Sequence, residues 1–515
     1  MKSVIKYFVF CAVTLVFTNV TAQKHDYIWL GGYDSDVGYV PPNGYYGITK
    51  LNFNQTPVEI TYDSLGMNFD SAPCSIADED GNLVFYSNGN YIANKWDVPI
   101  ENSDSLSFGW VSYVWDSSIV KRGQRLPRSN FALPRPEVSN EFIFFNLLTD
   151  TFLNSFSSWA IFKLYATTID VSGNFGLGYI KEKKNVLIDS WLGPEVITVK
   201  HANGRDWWLI GHLRNTKCFY SFLVTKNGYV RQPNQCIINY VNTTDELSYG
   251  VASTDGSKIA TISYIEGLSL YDFDRCTGVI NNPVDAKLPE IAQNGLVGIA
   301  VSFSPNSRFA YVNATNRIYQ YDTWAIDFAA SKDTVAWYDG FKDIQIETLF
   351  ANSQLAPDGK IYLSTGNTTR YYHVIDRPDE KGDSCRVLQH SVKLKSYVGG
   401  VPYYPNYRLG ALAGSGCDTL ISDIESQEQR AKTIQVFPNP ATDVVTVDYS
   451  NIIWERYNTV SLKLTNAIGQ VVYQSVLPRY SGLHKVEVSG LPAGLYHAEV
   501  LGDGRMIGVS KVVVE

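Results

Sequence analysis

Six times between residues 76 and 364, a short polar turn drops between two apolar strands. The segments are IADEDGNLVFYS from 76, EVSNEFIFFN from 137, KHANGRDWWLI from 200, ASTDGSKIATI from 252, FSPNSRFAYV from 303 and LAPDGKIYLS from 355. With Gly81, Asn140, Gly204, Gly256, Ser307 and Gly359 taken as equivalent, the first two steps are 59 and 64 residues and the last three are 52, 51 and 52. Asp-Gly and Asn-Gly tolerate the positive φ that tight hairpins demand, and the flanking Val, Ile, Phe, Tyr and Trp suit strands packed on both faces. A third strand closing on Asp follows in most units, at Asp170, Asp274, Asp322 and Asp376. A repeat of this kind overrides the estimate of about three domains that length alone suggests.

A unit of roughly 50 residues with three or four short strands fits a β-propeller blade, and the pattern excludes helical solenoids. The rungs of a β-helix, the structural alternative, are much shorter. The stretch from Tyr27 to Leu65 supplies a further unit, sharing a strand with residues near Val401 to Ala411. The expected fold class is therefore all-β, a propeller over residues 23–414 with seven blades, six or eight staying open.

Both ends of the chain carry signals of a different sort. Lys2 and Lys6 precede an apolar run from Tyr7 to Phe17, and Val20-Thr21-Ala22 precedes Gln23. Residues 1–22 thus read as a secretory signal peptide cleaved between Ala22 and Gln23, the run being too short for the roughly 20 apolar residues of a membrane span. No later stretch is long enough, so the mature chain is expected to have no transmembrane segment. At the other end, residues 415–433 are polar and read as a linker.

The tail, residues 434–515, alternates in period two through VVTVDY and YHAEV, with turns at Gly469 and Gly494, which predicts a small Ig-like β-sandwich. Four landmarks stand in order: Pro438-Asn439-Pro440 with Asp443, AIGQVVY around Gly469, LPAGLY with Gly494 and Tyr496, and the closing Lys511-Val-Val-Val. This tail resembles the type A C-terminal sorting domain of the bacterial type IX secretion system. The resemblance implies passage through the periplasm to the cell surface or beyond, with the secretion machinery and its sorting peptidase as partners. The stretches KHANGRDWWLI, LYDFDRCTGVI, FSPNSRFAYV, QLAPDGKIYL and VPYYPNYRLG also resemble secreted bacterial propellers found ahead of such tails, a likeness that implies no catalytic residues.

Function is less legible. With 43 Lys plus Arg against 51 Asp plus Glu, the net charge of -8 argues against nucleic acid as a partner. No HExxH, GxSxG, P-loop or dinucleotide fingerprint occurs, so no cofactor is implied. Cys218 and Cys236 lie equally far from Asn227 of a Lys-Asn-Gly turn, so a regular hairpin sets them face to face as a disulfide. Spacing does not decide the pairing of Cys74, Cys276, Cys385 and Cys417, and none shows the CxxC spacing of a zinc site. A hairpin turning at Asn203-Gly204 sets His212 across from Glu195, which reads as an acid/base pair or, more commonly, a structural cross-strand pair.

Acidic clusters at Asp34-Ser35-Asp36 and Asp78-Glu79-Asp80 suit calcium by composition but not by EF-hand spacing, so no metal site is expected. Trp207 and Trp208 alternate faces and read as core. Tyr45, Tyr46, Tyr403, Tyr404 and Tyr407 sit among Gly and Pro and are the candidate ligand-loop aromatics, the alternative being burial where the ring closes. Two functions follow as expectations. The first is a non-catalytic surface module that binds a polysaccharide, a matrix component or a surface protein, or that serves surface assembly. The second is an extracellular polysaccharide-degrading enzyme using channel carboxylates.

Overall fold

The computed structural model describes residues 23–33, 45–69, 71–107, 123–124, 126–151, 159–214, 216, 218–237, 249–263, 267–288, 299–417, 432–449, 457–467, 469–478, 482–503 and 505–515. The expected signal peptide up to Ala22, the acidic cluster at residues 34–36 and most of the expected linker lie outside them. The chain divides into two compact units, Met1–Asp418 and Thr419–Glu515. Among the described residues there is no α-helix, and helical turns are confined to three short 3-10 segments.

The first unit is a succession of antiparallel meanders, seven of them among the described residues. They run Ile28–Tyr33 to Glu59–Asp63, Cys74–Ala77 to Ile92–Asn94, Asn130–Pro134 to Tyr179–Leu192, Ile197–Lys200 to Gly228–Arg231, Tyr249–Ala252 to Ile280–Ala286, Ile299–Phe303 to Asp333–Trp337, and Ser353–Leu355 to Val387–Val398. The first two have three strands each; the others have four in sequence order, the fourth with a short extra strand, Gln235–Cys236. Five of the six junctions between consecutive meanders are made through their first strands, and the last strand of the seventh packs on the first meander, so the circle closes as a seven-bladed propeller.

The turns explain why each blade folds locally. All six positions aligned from the sequence adopt positive φ, from 64° at Asn140 and Ser307 to 88° at Gly81. In five of them the N–H at that position donates to the carbonyl three residues earlier, closing the turn. The preceding Asn203, Asp255, Asn306 and Asp358 each accept the N–H two residues on through a side-chain oxygen. Hydrophobic faces then pack blade on blade. Trp208, Phe219, Tyr271 and Phe273 form one such seam and Phe309, Tyr311, Phe350 and Ile361 another.

Closure differs from the sequence expectation. Among the described residues no strand is shared between the first and last blades. Residues 399–417 form no strand, because Pro402 and Pro405 supply no N–H to a ladder. The seam is held instead by Thr49 Oγ1 against Ser396 Oγ at 2.8 Å and by Tyr397 N–H donating to Tyr45 O at 2.7 Å.

The second unit is a β-sandwich of a five-stranded sheet facing a three-stranded one. Alternate residues Leu462, Leu464, Tyr496, Ala498 and Val500 of the larger sheet meet Val445, Val447 and Val486 of the smaller in a common core. This is the period-two pattern of strands with one buried face.

Candidate functional site

The segment from Val401 to Gly410 runs along the axis of the propeller as a plug. Its tyrosines fan out to different blades. Tyr403 Oη meets Thr198 Oγ1 at 3.1 Å and accepts from Thr198 N–H, Tyr404 Oη meets Ser75 Oγ at 2.7 Å and donates to Ile28 O, and Tyr407 Oη donates to Ala132 O at 2.6 Å. Asn406 Nδ2 donates to Thr254 O, and Gln354 bonds the Tyr404 backbone through both its amide nitrogen and its oxygen. One decapeptide thus ties six blades together. Leaving the axis, the chain is fastened by a disulfide between Cys276 and Cys417.

Tyr403, Tyr404 and Tyr407 were candidates for open ligand loops, and the structure corrects that. They are 4%, 5% and 1% exposed, because each hydroxyl needs an inner-strand partner that only the axis supplies. Burial raises the pKa of all three hydroxyls. Tyr45 and Tyr46 are half-buried, packed on Tyr397, with the Arg370 guanidinium 4.0 Å from the Tyr45 ring centre and ion-paired to Asp343.

Beside the plug lies a cavity of about 260 Å³, lined by the inner strands and turns of the fourth to seventh blades. Its neutral polar groups are satisfied within the protein. Ser302 Oγ, for example, pairs with Ser353 Oγ at 2.7 Å, and Thr254 Oγ1 donates to Ser304 O. Among the described residues its charges are three cations, Arg128, Lys200 and Arg408, and one carboxylate, Asp26. Arg408 grips both Asp26 oxygens, at 2.6 and 2.8 Å. Lys200 Nζ donates to Gln23 Oε1 at 2.8 Å and Tyr407 O at 3.3 Å over the Trp207 ring, and burial brings its pKa down to about 8. Arg128 reaches across the axis from the third blade to Ser353 O at 2.6 Å and Gly250 O at 3.5 Å, between the faces of Tyr249 and Tyr403. Burial lowers the pKa of this guanidinium as well.

Glu195, two residues before the first strand of the fourth blade, and His212, at the end of its second, meet in a short hydrogen bond, both buried. The register that sets Ile197 opposite Ile210 continues to this pair. They are not among the residues lining the axial cavity, and the His212 ring packs 3.7 Å from that of Phe219. Trp207 and Trp208 are buried in separate clusters on opposite faces of the same sheet. Asp78 Oδ1 is occupied in its own turn, accepting from the N–H groups of Asp80 and Asn82. Among the described residues no group of three or more His, Cys, Asp or Glu is placed to hold a metal. Cys218 and Cys236 are bonded across neighbouring strands, while Cys74 and Cys385 are buried free thiols. The sequence reading missed Arg128 entirely; one arginine in RLPRSN carries no periodic or motif signal.

The tail gives its motif residues plain structural work. Asn439 Oδ1 accepts from Val513 N–H and its Nδ2 donates to Lys511 O, both at 2.8 Å, so the Pro-Asn-Pro opening clasps the terminal strand. Gly469 has φ 80° in the turn after Asn466, Asp443 O accepts from Val488 N–H, and Tyr496 Oη donates to Pro492 O. Residues 435–515 match the family of secretion system C-terminal sorting domains. The tail is a type IX sorting domain. Such a domain engages the type IX machinery and marks its protein for the cell surface or the extracellular space.

A comparison with curated proteins finds no match. Solved structures similar to the chain include a protein from Lactobacillus plantarum at 13% identity and TM-score 0.41, covering 74% of this chain and 99% of that one. Another is the β-propeller domain of Cps50 (Swd1) from Myceliophteria thermophila, at 8% identity and TM-score 0.31, covering 67% and 95%. AztD from Citrobacter koseri is similar at 11% identity and TM-score 0.34, covering 70% and 84%. Likenesses this slight bring no activity with them. No helix among the described residues is long and apolar enough to cross a membrane.

Proposed function

We propose that this sorting-domain protein is a non-catalytic binding module delivered to the bacterial surface. Residues 1–22 act as a signal peptide cleaved before Gln23, residues 23–414 form the working propeller, and residues 415–433 link it to the tail, which the sorting peptidase removes. The propeller then engages a polysaccharide, a matrix component or a neighbouring surface protein.

One observation favours binding over hydrolysis. Among the described residues the axial cavity is lined by a single carboxylate, Asp26, and both of its oxygens are taken by Arg408. Glycoside hydrolysis ordinarily calls on two carboxyl groups about 5–9.5 Å apart, one of them free to give up a proton. Glu195 and His212 engage each other away from the cavity.

The test is a combined binding and turnover screen of the secreted protein against polysaccharides and envelope fractions of its host. Retention on one polymer or fraction at micromolar concentration, without release of reducing sugar, is expected. Reducing-sugar release that disappears in Asp26→Asn would replace this reading with the enzyme.

A further inference from the structure

Arg128 is the most unusual group at the axis. It is 7% exposed, its backbone has φ 61°, and among the described residues it meets no carboxylate. A buried cation is ordinarily paired, because an isolated charge loses its hydration without recompense. Here two carbonyl oxygens and two aromatic faces provide partial compensation, and only two of five N–H donors have acceptors. The other cations at the cavity have fewer donors to spare: Arg408 is paired with Asp26, and Lys200 has acceptors in Gln23 and Tyr407 for two of its three N–H donors. Since the neutral polar groups are satisfied internally, the largest unmet donor capacity among the described lining residues is that of the Arg128 guanidinium.

We propose that the axial cavity binds a carboxylate of monosaccharide size, held by Arg128 through a guanidinium–carboxylate pair. The space, about 260 Å³, exceeds the roughly 150 Å³ that takes a benzene ring. A planar carboxylate matches the fork of an arginine with two parallel hydrogen bonds. Its two oxygens match two of the three N–H donors that Arg128 has to spare, whereas a phosphate dianion calls for more donors than this guanidinium leaves available. The carboxylate is either a free sugar acid or the end residue of an acidic polysaccharide. The inference rests on reading the propeller as a binding module and names the chemistry of its ligand.

Isothermal titration of the exported protein tests it, with D-galacturonate, D-galactose, inorganic phosphate and trigalacturonate as probes. Galacturonate or trigalacturonate binds and galactose does not. Binding of trigalacturonate alone identifies a polymer end as the source, and equal binding of both identifies the free acid. Arg128→Gln weakens the binding at least about thirtyfold, the effect of losing a strong interface arginine. Val251→Phe, which fills the cavity from the fifth blade and leaves Arg128 in place, has the same result. Equal binding of galactose, tighter binding of phosphate, wild-type affinity in Val251→Phe, or no heat with either acid up to about 10 mM overturns the proposal. These comparisons on the wild-type chain stand even where Arg128→Gln disturbs folding. Capture of a polymer that survives both substitutions leaves the binding-module reading intact and removes only the axial acid site; absence of any capture removes the module reading itself.

Discussion

If the plug replaces a shared strand as the device that closes the propeller, truncating its most buried tyrosine is costly. Tyr407 is 1% exposed, its ring packs edge-on against Trp207 at 5.8 Å and His25 at 5.2 Å, and its hydroxyl donates to Ala132 O. Removing a buried aromatic to alanine costs about 3–5 kcal/mol. With an unfolding entropy of about 2.1 cal/mol/K per residue, a propeller of roughly 395 residues has about 0.8 kcal/mol/K, so Tyr407→Ala lowers Tm by about 4–6 °C. Differential scanning calorimetry of the exported chain reads this. Val230→Ala, at a side chain 51% exposed, serves as the control and moves Tm by less than about 1 °C. A shift as small as the control's in Tyr407→Ala refutes the plug as a structural closure.

Two further predictions concern the same unit. Burial lowers the His373 pKa to about 4, and its Nδ1 accepts from His390 N–H, so the folded protein holds it neutral. The folded pKa lies below the unfolded value of 6.5, so its contribution is complete above pH 6.5 and is lost as pH falls toward 4. The loss amounts to about 3 kcal/mol. Urea titrations of wild type and His373→Gln across that window are expected to differ in slope, and parallel curves contradict the assignment. The Cys276–Cys417 disulfide closes a separation of 141 residues against 18 for Cys218–Cys236. Chain entropy then gives about 5 and about 3 kcal/mol respectively, so Cys417→Ser is the more destabilising of the two single replacements, measured by denaturant midpoint against Cys236→Ser.

What the sequence disclosed was what neighbouring residues encode. The blade turns could be aligned because Asp-Gly and Asn-Gly state their own conformation, and Ser307 fell into line through spacing alone. The facing of Cys218 and Cys236 followed from a turn nine residues from each. The axis was illegible for the opposite reason. Tyr403, Tyr404 and Tyr407 bond to residues 205, 329 and 275 positions away, and nothing local separates such tyrosines from exposed ones. Pro402 and Pro405 were the available clue that Val401 to Ala411 does not form a strand. Arg128 could be recognised only once three distant blades met around it.

The account as a whole concerns a closed propeller carried outward by its tail, and cell fractionation with external protease tests that most directly. The full chain is expected on the surface or in the medium, and a chain lacking residues 435–515 is expected to accumulate in the periplasm, folded and with Cys276 and Cys417 bonded. Surface exposure of the truncated chain at the level of the full one would contradict it.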